Sequence, residues 1–194
     1  MAFITPYFTD KFTAYPGDTI ITNLSFAVWL TDAYTKNEPF GHIKVRVREG
    51  DMEAAKNLSG YYCFTDLATG NYTVSIESDL YFPEDTAVDT AALDSRNPVV
   101  AIELKPKSSY PFPGHATLVR GLVSNAEPVV GADVEVTGKS IKSITDERGE
   151  FVLYFKGIKT EAIIIKIKKG VDIKTVTATI EEGKTISLGT IHFP

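Results

Sequence analysis

One cysteine, one tryptophan and two methionines are all that this 194-residue chain holds of those residue types. A single Cys63 cannot close an internal disulfide, so the chain says nothing for or against an oxidising compartment. No stretch approaches the roughly 18 apolar residues of a membrane span. Apolar clusters such as Ala162-Ile163-Ile164-Ile165 are strand-sized. The opening MAFITPYFTDKFTAYPGD lacks the basic flank and apolar run of a signal peptide. As written, the sequence predicts a soluble, cytoplasmic protein, surface-exposed only if it joins an exported assembly. Positive charge is also short. The net charge of −5 argues against nucleic acid, whose binding needs a basic footprint.

Catalytic and metal-binding patterns are missing as well. The three histidines stand apart as His42, His115 and His192, with no His-x-x-Glu or His-Glu-x-x-His spacing to bring two ligands onto one zinc ion. Cys63 has no nameable base and orienting partner, and reads as a small apolar residue on a strand. Asp146, Glu147 and Glu150 lack the alternation that wraps calcium in oxygens, and turn chemistry explains them. The acidic run Glu77, Asp79, Glu84, Asp85 and Asp89 offers a cation candidate or a solvated face. Lys44, Arg46 and Arg48 form an outward stripe that either meets an anion or pairs across strands with residues such as Glu77. No catalytic residue, metal or cofactor is assigned, and the expectation is a protein that is not an enzyme.

What the chain has is a repeat. At a spacing of 89 residues, without a gap, Pro39 matches Pro128 and Ile43-x-Val45-x-Val47 matches Ala132-x-Val134-x-Val136. Gly60-x-Tyr62-x-Phe64 then matches Gly149-x-Phe151-x-Leu153, and Val74-x-Ile76 matches Ile163-x-Ile165. A fixed spacing means one unit used twice, and apolar residues at every second position make the unit of strands. No helical period is convincing, although Phe8, Phe12 and Tyr15 could share one face of a single turn. The expected layout is an arm over 1–22, a first β-sandwich over 23–105, a linker over 106–114 and a second β-sandwich over 115–194.

First-half strands are expected at Phe26–Leu30, Ile43–Val47, Tyr62–Phe64, Tyr72–Ile76 and Val100–Leu104. The segment from Pro83 to Pro98 is too polar and broken to be a core strand throughout. In the linker, Pro106, Pro111 and Pro113 impose stiffness, and Tyr110 and Phe112 are expected to pack on a domain. Gly60 and Gly149 are expected at positive φ, closing turns whose Asn57 and Asp146 bond the backbone two residues on.

The two halves differ in character. Residues 1–112 carry 9 Lys/Arg against 15 Asp/Glu and 17 of the 21 aromatics; residues 113–194 carry 11 against 10. Contact chemistry is therefore expected in the first half. If Phe26, Val28 and Leu30 face inward, Trp29 faces outward, and the same alternation turns Tyr61 outward. Such aromatics anchor a protein partner, stack on a sugar ring, or lie beneath the arm or the second sandwich. Phe8, Phe12 and Tyr15 complete the candidate contact set, since an arm this aromatic invites docking.

Gly121-x-Val123, Pro128-x-x-Gly131-Ala132-x-Val134-x-Val136 and Thr145-Asp146-x-x-Gly149-x-Phe151 together resemble the carboxypeptidase regulatory-like domain, one of the transthyretin-like (prealbumin-like) β-sandwiches. The first half looks like a diverged copy, with Val28 where that family has Gly. The resemblance implies two tandem seven-stranded Greek-key sandwiches of prealbumin-like or Ig-like type, and implies little about activity. The hydroxyisourate hydrolases of the transthyretin-like group end in Tyr-Arg-Gly-Ser, whereas this chain ends Ile191-His192-Phe193-Pro194. The functional expectation is a non-catalytic protein-interaction or structural module in a larger assembly, through a protein partner or self-association. A carbohydrate-binding or cell-surface adhesion module is the alternative.

Overall fold

A computed structural model describes residues 22–194, together with the backbone of a short antiparallel pair, β1 (Tyr7–Phe8) with β2 (Thr13–Ala14). Phe8 thus lies in a strand, where the sequence offered a helical turn through Phe8, Phe12 and Tyr15. Phe12 and Tyr15 lie outside the described residues.

Every element among the described residues is a strand. In the first half these are β3 (Leu24–Asp32), β4 (Ile43–Val47), β5 (Met52–Glu53), β6 (Ala55–Lys56), β7 (Tyr62–Thr65), β8 (Asn71–Ser78), β9 (Glu84–Asp89) and β10 (Val99–Leu104). They form two facing sheets in the orders β10-β3-β7-β6 and β5-β4-β8-β9, around a core that includes Phe26, Leu30, Val45, Phe64 and Ile76. In the second half β11 (Thr117–Asn125), β12 (Glu127–Pro128), β13 (Asp133–Val136), β14 (Lys142–Ile144), β15 (Glu150–Phe155), β16 (Thr160–Lys169), β17 (Asp172–Glu181) and β18 (Thr185–His192) follow. There β11 sits between β18 and β15, facing the sheet β14-β13-β16-β17 across a core rich in isoleucine. In both halves the last strand runs parallel to the first and all other pairs are antiparallel.

Alternation explains the cores. Val45, Val47, Tyr62, Phe64, Val74 and Ile76 are buried, and so are Val134, Val136, Phe151, Leu153, Ile163 and Ile165. Each large apolar side chain withdrawn from water contributes about 1.5–3 kcal/mol. The turns before β7 and β15 also agree. Asn57 Oδ1 accepts from the N–H groups of Ser59 and Tyr61, both at 3.0 Å, and Asp146 Oδ1 accepts from those of Arg148 and Glu150 at the same distance. Gly60 and Gly149 sit at φ of 86° and 76°.

The spacing is not gapless, however. Phe26 lies opposite Phe64 while Val119 lies opposite Leu153, so the first strands are 93 residues apart. Phe26 precedes Val45 by 19 residues and Val119 precedes Val134 by 15, so the first half has four more residues from one core position to the next. Val47 lies opposite Val74, but Val136 lies opposite Ile165 rather than Ile163. A two-residue slip returns every side chain to its own face, so the alternation cannot register it. The first half also gains strands that were not expected: the two-residue β5 and β6, and Glu84–Asp89, which forms β9, an edge strand with Val88 buried and charged residues outside. Charged edges of this kind discourage further pairing.

Candidate interaction surface

Trp29 and Tyr61 meet on the outer face of the β10-β3-β7-β6 sheet. Ala27 opposite Cys63 and Val28 opposite Tyr62 set a register that brings the next residues, Trp29 and Tyr61, across from each other. Their ring centroids are 4.8 Å apart at 44°, and both side chains are half-buried. Such a cross-strand aromatic pair adds about 0.5–1 kcal/mol. Gly60 makes room for it, since a Cβ there would stand 3.3 Å from the Trp29 ring and 3.1 Å from Glu38 Oε1. Glu38 pairs with Lys56 at 2.9 Å and holds the ammonium above its usual pKa, while Lys56 also lies 5.2 Å from the Tyr62 ring centroid. The patch is thus an aromatic pair rimmed by a salt bridge. Of the other expected contacts, Phe8 belongs to the β1–β2 backbone pair, and Phe12 and Tyr15 fall outside the described residues.

The basic stripe is satisfied within its own sheet. Arg46 bonds Glu77 and reaches Asp51 at 3.5 Å, Arg48 meets Asp85 at 2.5 Å, and Lys44 lies 3.9 Å from Glu53. Two members of the acidic run are thereby taken up. Among the described residues no cluster of His, Cys, Asp and Glu could hold a metal ion. His42, His115 and His192 are exposed.

Sequence reasoning missed the polar centre of the first half. Asp32 is fully buried. Its Oδ1 accepts from the N–H groups of Tyr34 and Thr35 at 2.6 and 3.2 Å; its Oδ2 accepts from the hydroxyls of Tyr81 at 3.0 Å and Tyr110 at 2.5 Å. Burial pushes both phenols well above their ordinary pKa, and the neighbouring carboxylate adds to the effect. A signal did exist: Asp32 continues the inward phase of Phe26, Val28 and Leu30, and a carboxylate on that phase must find donors. Tyr110 arrives from the linker, which packs on the first half as expected.

Aromatic and apolar residues also bridge the two halves. Tyr34, in the longer β3–β4 connection, stacks edge-on against Phe112 at 4.9 Å and Tyr154 at 5.3 Å. Ala116, Leu118 and Val152 are buried with them. Lys156 Nζ donates to the Tyr34 carbonyl.

No family model matches the chain, and no curated protein matches it. Among solved structures it is similar to the minor pilin GBS52 of Streptococcus agalactiae, with 12% identity and a TM-score of 0.32, covering 87% of this chain and 95% of that one. The shaft pilin SpaA of Lactobacillus rhamnosus GG gives 9% identity and a TM-score of 0.31 over 89% of this chain and 97% of the pilin. A type II cohesin–X-dockerin complex from Acetivibrio cellulolyticus gives 21% identity and a TM-score of 0.33 over 40% of this chain, which spans 56% of that chain. Likenesses this distant identify neither a family nor an activity. Among the described residues no helix is long and apolar enough to cross a membrane.

Proposed function

We propose that the chain is a non-catalytic pair of β-sandwiches serving as a protein-interaction or structural module in a larger assembly. The observation that carries this reading is the half-buried Trp29–Tyr61 pair, presented on the outer face of the β10-β3-β7-β6 sheet. Anchors of that kind dominate protein interfaces because they bury much area at little entropic cost. The 44° tilt between the rings offers no single platform for a sugar, and the rim is a Glu–Lys pair rather than amides. Both features favour a protein partner over a carbohydrate. Phe8, Phe12 and Tyr15 in the arm over 1–22 are proposed as the second part of the contact.

The unit over 115–194 is proposed as a carboxypeptidase regulatory-like sandwich, and that over 23–105 as its diverged duplicate, joined by the linker over 106–114. The shared strand order, the matching Asx turns and Gly121 support this. A Cβ at Gly121 would come within 2.7 Å of the Phe151 ring, so glycine there lets the aromatic fill the core.

Light scattering across a concentration series tests self-association, the simplest form of the assembly role. The expected result is a mass that rises with concentration and falls back in the Trp29→Ala, Tyr61→Ala variant. A monomer whose Trp29 emission shifts on adding oligosaccharides would favour the adhesion alternative. A monomer that responds to neither sink the reading.

A further inference from the structure

The linker between the sandwiches is tied on both sides within two residues. We infer that it works as a two-sided lock, holding the sandwiches at one fixed angle rather than serving as a hinge. On the first side, Tyr110 donates to the buried Asp32 carboxylate at 2.5 Å, Ser109 Oγ donates to the Asp79 carbonyl at 2.8 Å, and the Lys107 N–H donates to the Leu80 carbonyl at 2.9 Å. On the second side, the Ser108 hydroxyl bonds Asp146 and lies 3.1 Å from Glu150 Oε2. Arg120 Nη1 donates to the Ser108 carbonyl at 2.7 Å, and Lys107 meets Glu147 at 3.0 Å. Two residues of extended chain span at most about 7 Å, so no slack separates the Ser108 and Tyr110 attachments.

The chemistry of each attachment resists release. Asp32 has no exposure to water, so losing Tyr110 leaves a buried carboxylate one donor short. Asp146 is also buried, and its other oxygen already caps the turn before β15, which couples the linker to the turn that starts a core strand. Pro111 and Pro113 then fix φ on the exit side, and the Tyr34, Phe112 and Tyr154 rings fill the gap between the halves. Neighbouring domains in one chain ordinarily move relative to each other unless their interface is large and apolar. Here buried polar ties replace area, and the inference holds whatever either surface binds.

The test is a distance distribution from pulsed electron resonance. Spin labels go on the exposed positions Thr69→Cys and Lys174→Cys in a Cys63→Ala background. The otherwise unaltered chain should give one narrow distance, and Ser108→Ala combined with Tyr110→Phe should broaden it. A second variant inserts Gly-Ser between Ser109 and Tyr110, keeping every bonding group while adding slack; it should broaden the distribution too and decides the matter if the first variant misfolds. A broad distribution before any linker change, or an insertion that leaves the distribution narrow, would overturn the lock.

Discussion

The two sandwiches share a strand order and a turn but stabilise themselves differently. At 89 residues' spacing Arg46, opposite Glu53 and bonded to Glu77, becomes Glu135, paired with Lys142 and Lys166 at 3.7 Å each. Every sign is reversed and the ladder survives, because an exposed cross-strand pair requires only opposite charges. The cores show the opposite behaviour. The second centres on the apolar Ile163, Ile165, Ile167 and Ile180, and its buried carboxylate, Asp146, caps a turn. The first is tied through one buried carboxylate and two phenols. Surface chemistry is therefore exchangeable between the halves and core chemistry is not, and the difference lies where the linker enters.

The sharpest way to break this contrast is Asp32→Ala. It leaves two phenols and two backbone N–H groups without an acceptor and should cost on the order of 3–5 kcal/mol. The first sandwich should melt early while the second holds. Trp29 is the sole tryptophan, so its emission follows the first sandwich alone, and far-ultraviolet circular dichroism follows both. A single unshifted transition in both signals would remove Asp32 from its central role.

Gly149→Val should come next, costing about 3 kcal/mol through positive φ and a clash, since its Cβ would stand 2.5 Å from the Val123 carbonyl oxygen. Gly60→Val meets only the side chains of Glu38 and Trp29 and should cost about 1–2 kcal/mol. Urea midpoints for the two variants rank them, and equal losses would show that the two turns are held equally tightly.

Alkali should separate the halves as well. Tyr81 and Tyr110 titrate above their unfolded value of about 10. The folded state then binds more protons than the unfolded one above that pH. The stability the phenols supply is complete below about pH 10 and falls as pH rises, by at most about 1.4 kcal/mol per pH unit for each phenol. Tyr110→Phe should flatten the decline, and a pH profile unchanged by that substitution would contradict the assignment. The smallest effect belongs to the ladders: Arg46→Gln or Glu135→Gln should each cost under about 1 kcal/mol.

These contrasts also mark what could be read from the residues. Alternation located the inward faces around Val45 and Val134 because a half-buried strand leaves no other choice. Asn57 and Asp146 announced their turns because the side chain bonds its own local backbone. The tilted Trp29–Tyr61 pair was legible as two outward aromatics but not as a contact, since the register of β3 on β7 brings them together. The Asp32 centre was hidden because the hydroxyls that donate to its carboxylate come from Tyr81 and Tyr110, 49 and 78 residues away. The two-residue slip at Ile165 was invisible because it preserves the face of every side chain.

The assembly role rests most directly on the outer face of the first sandwich and the arm that precedes it. Deleting residues 1–22 and following both mass by light scattering and the two melting transitions tests it. The account predicts that the truncated protein either dissociates from a larger species or loses stability in the first sandwich, with the second sandwich melting as before. A truncated chain with the same mass and the same two transitions as the full chain would contradict it.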